Sequence, residues 1–240
     1  MTTDIIVVDV SHHQGDWPGE DTPWDAMRGA GLIGVILKAT EGTTYVDPTF
    51  RRRYDAAHEN DIIASSYHFL RHGGISQQMQ LYLNTVDPEP GERMVLDWED
   101  GSVTLGELKD AIEYLLNDNR NLQVTVYASA SFLQENVPNV SDPVLAQTSL
   151  WVARYSGQPP YWPSAVWSTW SLWQCTDSYS VEGYGPLDGN KFNGSVEACK
   201  AWLAPAGSEP VPVPPDDEPV VLNVAPGTTV VLNGVEYVAT

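Results

Sequence analysis

Positive charge is scarce in this chain: 12 lysines and arginines stand against 32 aspartates and glutamates among 240 residues, a net charge of −20. Such a molecule is repelled by nucleic acid and by anionic membrane surfaces, which excludes partners held through phosphate contacts. The excess acid is expected to serve solubility or tolerance of salt rather than recognition of a cationic partner. Cysteine is scarce too. Cys175 and Cys199 make no disulfide framework and read as reduced, buried thiols. No apolar run approaches the roughly 20 residues of a membrane-spanning helix, so no membrane insertion is expected. The first residues, Met1-Thr2-Thr3-Asp4, have neither the basic nor the apolar region of a secretory signal. They predict synthesis in a host cytoplasm, with work outside the cell reached by another route. His12, His13, His68 and His72 follow no ligand spacing such as His-Glu-Xaa-Xaa-His, so no metal and no cofactor is expected. A phosphate-cradling glycine loop, a Ser-His-Asp set on a nucleophile elbow and a Cys-Xaa-Xaa-Cys pair are missing as well.

What the chain does have is 42% hydrophobic residues, near the globular average. They form alternating strand and helix patterns up to about residue 155. Ile5–Val10, Ile33–Ala39, Ile62–Leu70, Met94–Glu99, Gln123–Ala128 and Leu150–Tyr155 read as strands. Helical patterns fall at Trp24–Ala30, Pro48–Asn60, Ile75–Val86 and Thr104–Asn119, the last with Thr104 and Glu107 spaced as a capping box. Continuous apolar strands alternating with helices predict a parallel sheet covered on both faces. Right-handed crossovers wind such a sheet into a barrel or an open doubly wound sheet. Beyond residue 155, Pro159, Pro160 and Pro163 mark a long loop, Ser171–Cys175 adds a strand and Ser195–Leu203 a last helix. The expected fold is therefore α/β, an irregular (β/α) TIM-like barrel over residues 1–204.

Residues 205–219 form a Pro-rich acidic linker. Residues 220–240 form a short β-strand appendage, a hairpin or meander, in which Val220-Val221-Leu222-Asn223 recurs as Val230-Val231-Leu232-Asn233 and Asn233-Gly234 signals a turn. So small a piece buries too little surface to stand alone. It is expected to dock on the barrel or to associate with copies of itself.

In either α/β fold the active site collects at the carboxyl ends of the parallel strands. Two of those ends break into acid: Ile5-Ile6-Val7-Val8-Asp9 and Met94-Val95-Leu96-Asp97-Trp98-Glu99. Asp97 and Glu99 are two apart, so on an extended backbone they leave the same face. Neighbouring carboxyls repel, which tends to hold one protonated while the other stays ionised. That is the division of roles that glycoside hydrolysis requires. A lone acid at a strand end is ordinarily a helix cap or a solvated loop residue; the pair is what points to chemistry.

Nine tryptophans and 11 tyrosines add to the picture, because sugars present apolar C–H faces that aromatic rings can stack upon. Tyr67, Phe69, Tyr127, Trp151, Tyr155 and Trp173 fall at or near predicted strand ends, as does Gln174. These are the candidate substrate contacts. Glu41, just past a strand end, joins them but fits a structural role equally well. Trp17, Trp24, Trp162, Trp167, Trp170 and Trp202 read as core or loop packing.

Asp9-Val10-Ser11-His12-His13-Gln14 resembles the DxSxxQ opening of glycoside hydrolase family 25, the Chalaropsis-type lysozymes. In that family's order follow Lys38-Ala39-Thr40-Glu41-Gly42, Tyr67-His68-Phe69, Leu96-Asp97-Trp98-Glu99 and Tyr127-Ala128-Ser129. Then come Leu150-Trp151-Val152-Ala153-Arg154-Tyr155, Leu172-Trp173-Gln174-Cys175 and Leu187-Asp188-Gly189-Asn190-Lys191-Phe192-Asn193-Gly194. The resemblance spans roughly residues 4–203. It implies an N-acetylmuramidase with an irregular (β/α) barrel, cutting the β-1,4 bond from N-acetylmuramic acid to N-acetylglucosamine in the peptidoglycan strands of bacterial walls. Carried over by motif, Glu99 is similar to the general acid and Asp97 to its electrostatic or substrate-orienting partner. Asp9 and Asp188 are similar to two further acids of the cleft.

The chain departs from the pattern at Trp98, where a smaller β-branched residue is usual. It departs again at Gly189-Asn190-Lys191, which stands in place of Leu-Asn-Xaa. The repeated tail has no counterpart. The resemblance and the bare N-terminus together imply a phage endolysin, released to the wall by a separate pore protein (a holin) or carried by the virion. Two mechanisms stay open: attack by the substrate's own acetamido group steered by Asp97, or attack by water with Asp9 or Asp188 as base. A reading of another class also stays open, a non-catalytic glycan-binding or structural barrel with the tail as an assembly element. The intact Asp97–Glu99 pair favours the enzyme.

Overall fold

The computed structural model describes residues 4–14, 23–157, 160–182, 184–207, 229–232 and 235–238. The chain divides into two units, Met1–Ser208 and Glu209–Thr240. In chain order the larger unit runs β1 (Val7–Val10), α1 (Trp24–Gly29), β2 (Gly34–Glu41), β3 (Tyr45–Val46), α2 (Phe50–Glu59) and β4 (Ile63–Phe69). It continues α3 (Ile75–Val86), β5 (Arg93–Asp97), α4 (Leu105–Leu116), β6 (Gln123–Ser129), α5 (Ala130–Asn136) and β7 (Ser149–Ala153). Two long strands, β8 (Leu172–Val181) and β9 (Tyr184–Phe192), and a helix, α6 (Val196–Leu203), complete it.

The sheet closes on itself, which decides for the barrel over the open sheet. Around the ring β1, β2, β4, β5, β6, β7 and β8 each pair in parallel with the next. The closing strand is β9, antiparallel to both β8 and β1, and β3 folds back on β2 as a hairpin outside the ring. The sequence reading foresaw neither β9 nor α5, nor the extension of β8 past Cys175. Tyr184-Gly185-Pro186-Leu187-Asp188-Gly189-Asn190-Lys191-Phe192 has no apolar run to announce a strand. It exists because it seals the gap between β8 and β1.

Strand periodicity sorts the side chains into two layers. Val8, Val35, Leu37, Met94, Leu96, Val124, Val126, Leu150 and Val152 point outward into the helix layer. The intervening positions Val7, Ile36, Val95, Tyr127, Trp151 and Leu172 point into the barrel. The amino-terminal end of the barrel is plugged by α6: Cys199 and Leu203 join the inner cluster, and Arg93 donates from Nε to the Trp202 carbonyl at 2.7 Å with its guanidinium 4.2 Å from that indole. A Cβ on Gly34 would meet the end of the Leu203 side chain and stand 3.2 Å from the Ile63 carbonyl oxygen, so α6 packs closely over this glycine. Both cysteines are free thiols. Among the described residues no helix is long and apolar enough to cross a membrane.

The smaller unit contains β10 (Thr229–Leu232) and β11 (Val235–Val238), antiparallel with Leu232 opposite Val235. Trp17, Pro159, the linker from residue 208 on, the first copy of the repeat (Val220–Asn223) and the Asn233-Gly234 turn lie outside the described residues.

Candidate active site

The inner positions at the carboxyl ends of the strands converge on a cavity of about 200 Å³. It is lined by Asp9 from β1, Tyr67 from β4, Asp97 from β5, Tyr127 from β6, Trp151 from β7, Gln174 from β8 and Asp188 from β9, with Glu99 and Tyr155 just beyond their strands. Asp9 and Asp188 are direct cross-strand partners. β5 ends at Asp97, two residues earlier than the sequence pattern suggested, so Glu99 sits on a loop. Trp98 explains how both acids still face the cavity. Its backbone N–H donates to the Tyr127 carbonyl at 2.9 Å, and its fully buried indole donates to the Val103 carbonyl at 3.0 Å and meets the Phe132 ring edge-on. The large ring, unusual for the motif, anchors the chain outward between the two carboxyls.

Asp9 is held by two carboxamides. Gln174 Nε2 donates to Asp9 Oδ1 at 2.9 Å and Oδ2 at 3.0 Å, and Asn190 Nδ2 donates to Oδ2 at 2.7 Å. The orientation of Asn190 is forced, because the Trp151 indole N–H, which can only donate, reaches Asn190 Oδ1 at 2.7 Å. Gln174 Oε1 in turn accepts from the Tyr127 and Tyr155 hydroxyls, both at 2.8 Å. Gln174, expected to contact substrate, lines the cavity as a crossbar joining Asp9 to Tyr127 and Tyr155. Sequence reasoning missed Asn190 as a site residue. The signal was its spacing two from Asp188, which becomes meaningful only once β9 is known to be a strand.

Burial dominates the electrostatics. It lifts the Asp97 carboxyl well above the usual range, with the nearby Glu99 adding to the effect and Lys38 opposing it. Burial likewise raises Asp9, helped by Asp188 and opposed by the Asn190 and Gln174 donors. Asp188 is pushed to about 6, chiefly by burial and then by Asp177. Glu99 is raised by burial while Lys38 and Arg71 pull it down. The expectation that neighbouring negative charge holds Glu99 protonated is thus corrected: desolvation is the main cause, and the deeper Asp97 and Asp9 are both lifted well above the usual range. Asp97 Oδ1 is buried with no hydrogen-bond partner among the described residues.

Glu99, Tyr127 and Tyr155 also border a neighbouring groove of about 540 Å³, whose walls include Ser129, Ser131, Gln134, Arg154 and Tyr161. Three expected contacts go elsewhere. Trp173 lies one residue out of phase with Gln174, so it packs outward on Trp170 and donates its indole N–H to the Arg154 carbonyl at 2.9 Å. The Phe69 ring is flanked by cations, Lys38 Nζ at 5.0 Å and the Arg71 guanidinium at 4.6 Å. Glu41 is bound to Lys38 and Arg71. The histidines have structural partners: His68 lies between Thr40 and Gln78, its pKa lowered to about 4 by burial, His12 pairs with the buried Asp47 and His72 with Glu107.

The pattern of Glycosyl hydrolases family 25 matches residues 8–184. Lysozyme M1 of Streptomyces globisporus is 30% identical over 212 residues, covering 81% of this chain and 70% of its own. The uncharacterized protein YegX of Escherichia coli K12 is 31% identical over 205 residues, covering 82% and 72%. Among solved structures, the bacterial lysozyme from Streptomyces coelicolor superposes with a TM-score of 0.72 at 27% identity, over 85% of this chain and 98% of that one.

Proposed function

The chain belongs to family 25 of the glycosyl hydrolases, and from that premise we propose that it hydrolyses the β-1,4 bond between N-acetylmuramic acid and N-acetylglucosamine in bacterial peptidoglycan. The observation that carries the mechanism is the partnerless, buried Asp97 Oδ1 beside Glu99. A buried carboxylate oxygen without a donor is costly, and the acetamido N–H of a sugar bound in the cavity is a donor of the right kind.

Before substrate enters, Asp97 competes with Glu99 for a proton. An N–H donated to Asp97 stabilises its ionised form, and the repulsion between the two then leaves the proton on Glu99. Glu99 gives that proton to the glycosidic oxygen as the bond to the anomeric carbon breaks. Asp97 holds the acetamido group so that its carbonyl oxygen attacks the anomeric carbon, and water later opens the resulting ring. Substrate assistance of this kind is a recognised variant of the two-carboxylate scheme. In the rival scheme, direct attack by water, Asp9 is the less apt base, since both its oxygens already accept amide N–H groups, and Asp188 is the base to be judged by the anomer of the first product. The tyrosine-walled groove beside Glu99 suits the continuing glycan strand.

Purified peptidoglycan treated with wild type and with Glu99→Gln tests the reading. Wild type is expected to release fragments ending in reducing N-acetylmuramic acid, with the anomer retained in the first product, and Glu99→Gln to be slower by roughly 100- to 10,000-fold. Reducing N-acetylglucosamine would mean another bond is cut. An inverted anomer would exclude acetamido attack, and wild type releasing no fragments from any wall would favour a binding barrel. The endolysin role is the finer proposal: co-produced with a pore-forming protein, the chain is expected to lyse its host from within, and Glu99→Gln is not.

A further inference from the structure

Asp9, Asp97, Glu99 and Asp188 share one small cavity, and the cations that bear on Glu99 are Lys38 and Arg71. Arg71 lies two residues past the end of β4. Its Nε and Nη2 donate to Glu41 Oε1 at 2.9 and 2.7 Å, and its Nη1 donates to Asp100 Oδ2 at 2.8 Å. Each acid is held again on its other oxygen: Glu41 Oε2 accepts from Lys38 Nζ at 2.5 Å, and Asp100 Oδ1 accepts from the Ser102 N–H at 2.9 Å and hydroxyl at 2.6 Å. A continuous chain of ion pairs thus joins the end of β2, the end of β4 and the loop after β5.

We propose that Arg71 is a positioning residue: through Asp100 it clamps the short segment that carries Glu99 and so fixes the aim of the acid. Glu99 lies between two anchors, Trp98 buried on one side and Asp100 gripped by Arg71 on the other. An ordinary surface ion pair contributes little. This one differs in that the guanidinium bridges two carboxylates at once and rests on the Phe69 ring, a geometry suited to arginine and not to lysine. The clamp rests on the reading of Glu99 as the acid.

The same contacts bear on protonation. Glu99 is faced by Lys38 from β2, Arg71 from the loop after β4, Asp97 at the end of β5, Asp9 on β1, Asp188 on β9, Tyr127 on β6 and Tyr155 after β7, and it shares the neighbouring groove with Arg154 and Tyr161. The cations that favour its ionised form are Lys38 and Arg71. Without Arg71 the acid keeps its proton to higher pH.

The test is the pH–rate profile on peptidoglycan for Arg71→Met, Arg71→Lys and Asp100→Asn, with melting temperatures measured alongside. Arg71→Met is expected to lower kcat by about five- to 100-fold and to move the basic limb up by roughly half a pH unit or more. Asp100→Asn keeps the cation but loses the ion pair, so kcat falls while the limb does not rise. Arg71→Lys keeps the limb near wild type and recovers kcat in part. KM stays near wild type throughout. If Arg71→Met melts early, the Asp100→Asn and Arg71→Lys pair decides. Wild-type kcat in both Arg71→Met and Asp100→Asn, or a kcat loss with no movement of the limb in Arg71→Met, overturns the proposal. A Glu99→Gln protein that stays active overturns the assignment of the acid instead, and is told apart from failure of the clamp because it is read on Glu99 itself and not on Arg71 or Asp100.

Discussion

At the scale of single residues the site is governed by which atom can only donate. The Trp151 indole N–H fixes Asn190, Asn190 presents its NH₂ to Asp9, and Gln174 completes the hold. Replacing Asn190 by Ala leaves a buried indole N–H without its acceptor and removes one of the two donors to Asp9 Oδ2. The expected cost is about 1–3 kcal/mol of stability, read as a lower urea midpoint, with activity reduced because Asp9 loses one of its two holders. A wild-type midpoint would mean that water replaces the amide at no cost. The acids themselves were legible because a pair two apart at the end of an apolar run is rare. Trp173 and Gln174 show where residue-level reading failed. Two consecutive residues of a strand cannot both face the barrel interior, and reading each as a strand-end contact ignored that constraint. Phe69 was misjudged for another reason: its neighbours Lys38 and Arg71 come from other parts of the chain, and nothing in the local sequence announces them.

At the scale of elements, helices carrying their own start signal were the easiest to read. Thr104 accepts from the Glu107 N–H at 3.2 Å, and Glu107 accepts from the Thr104 N–H at 2.9 Å, a complete capping box. Glu107 also accepts from the Gly73 N–H at 2.8 Å, tying the start of α4 to the loop that carries Arg71. Thr104→Ala is expected to cost about 1 kcal/mol, measured by chemical denaturation, with little change in rate. Glu107→Ala is expected to cost more and to lower the rate as well, because it loosens that loop. Equal costs and equal rates for the two would show that the Gly73 tie is inert. α5 escaped notice because it starts directly from β6 at the Ser129 cap and buries only Leu133, too little for a periodic pattern. β9 escaped because closure of the ring, not its own composition, makes it a strand. The irregular last third was visible as a loss of helical pattern, but the antiparallel seal that replaces the helices was not.

At the scale of the whole molecule, buried acids and net charge act on stability in the same direction. Asp188 titrates near 6 in the folded protein against an ordinary value of 3.8, and Asp9 and Asp97 are raised as well. A carboxyl raised by folding stabilises the fold while protonated. For Asp188 that contribution is complete below about pH 4 and is lost as the pH rises through about 6. Asp100 and Glu107, lowered to about 2 by hydrogen bonds, act oppositely: their contribution is present above about pH 4 and is lost as the pH falls toward 2. The charge of −20 adds repulsion that grows as the remaining acids ionise. Maximum stability is therefore expected near pH 4–5. The melting temperature is expected to fall by a few degrees at pH 7.5, where 1 kcal/mol corresponds to about 2–4 °C for a chain of this size, and to fall again below about pH 3. Added salt screens the exposed repulsion and leaves the buried acids nearly untouched. It should recover only part of the loss at pH 7.5, and the remainder should shrink in an Asp97→Asn, Asp188→Asn double variant, in which Asp9 is the raised carboxyl left in the cavity. Full recovery by salt alone would assign the loss to surface charge, and the cavity acids would then be ionised together in the folded protein, against the proton sharing on which Glu99 depends as an acid.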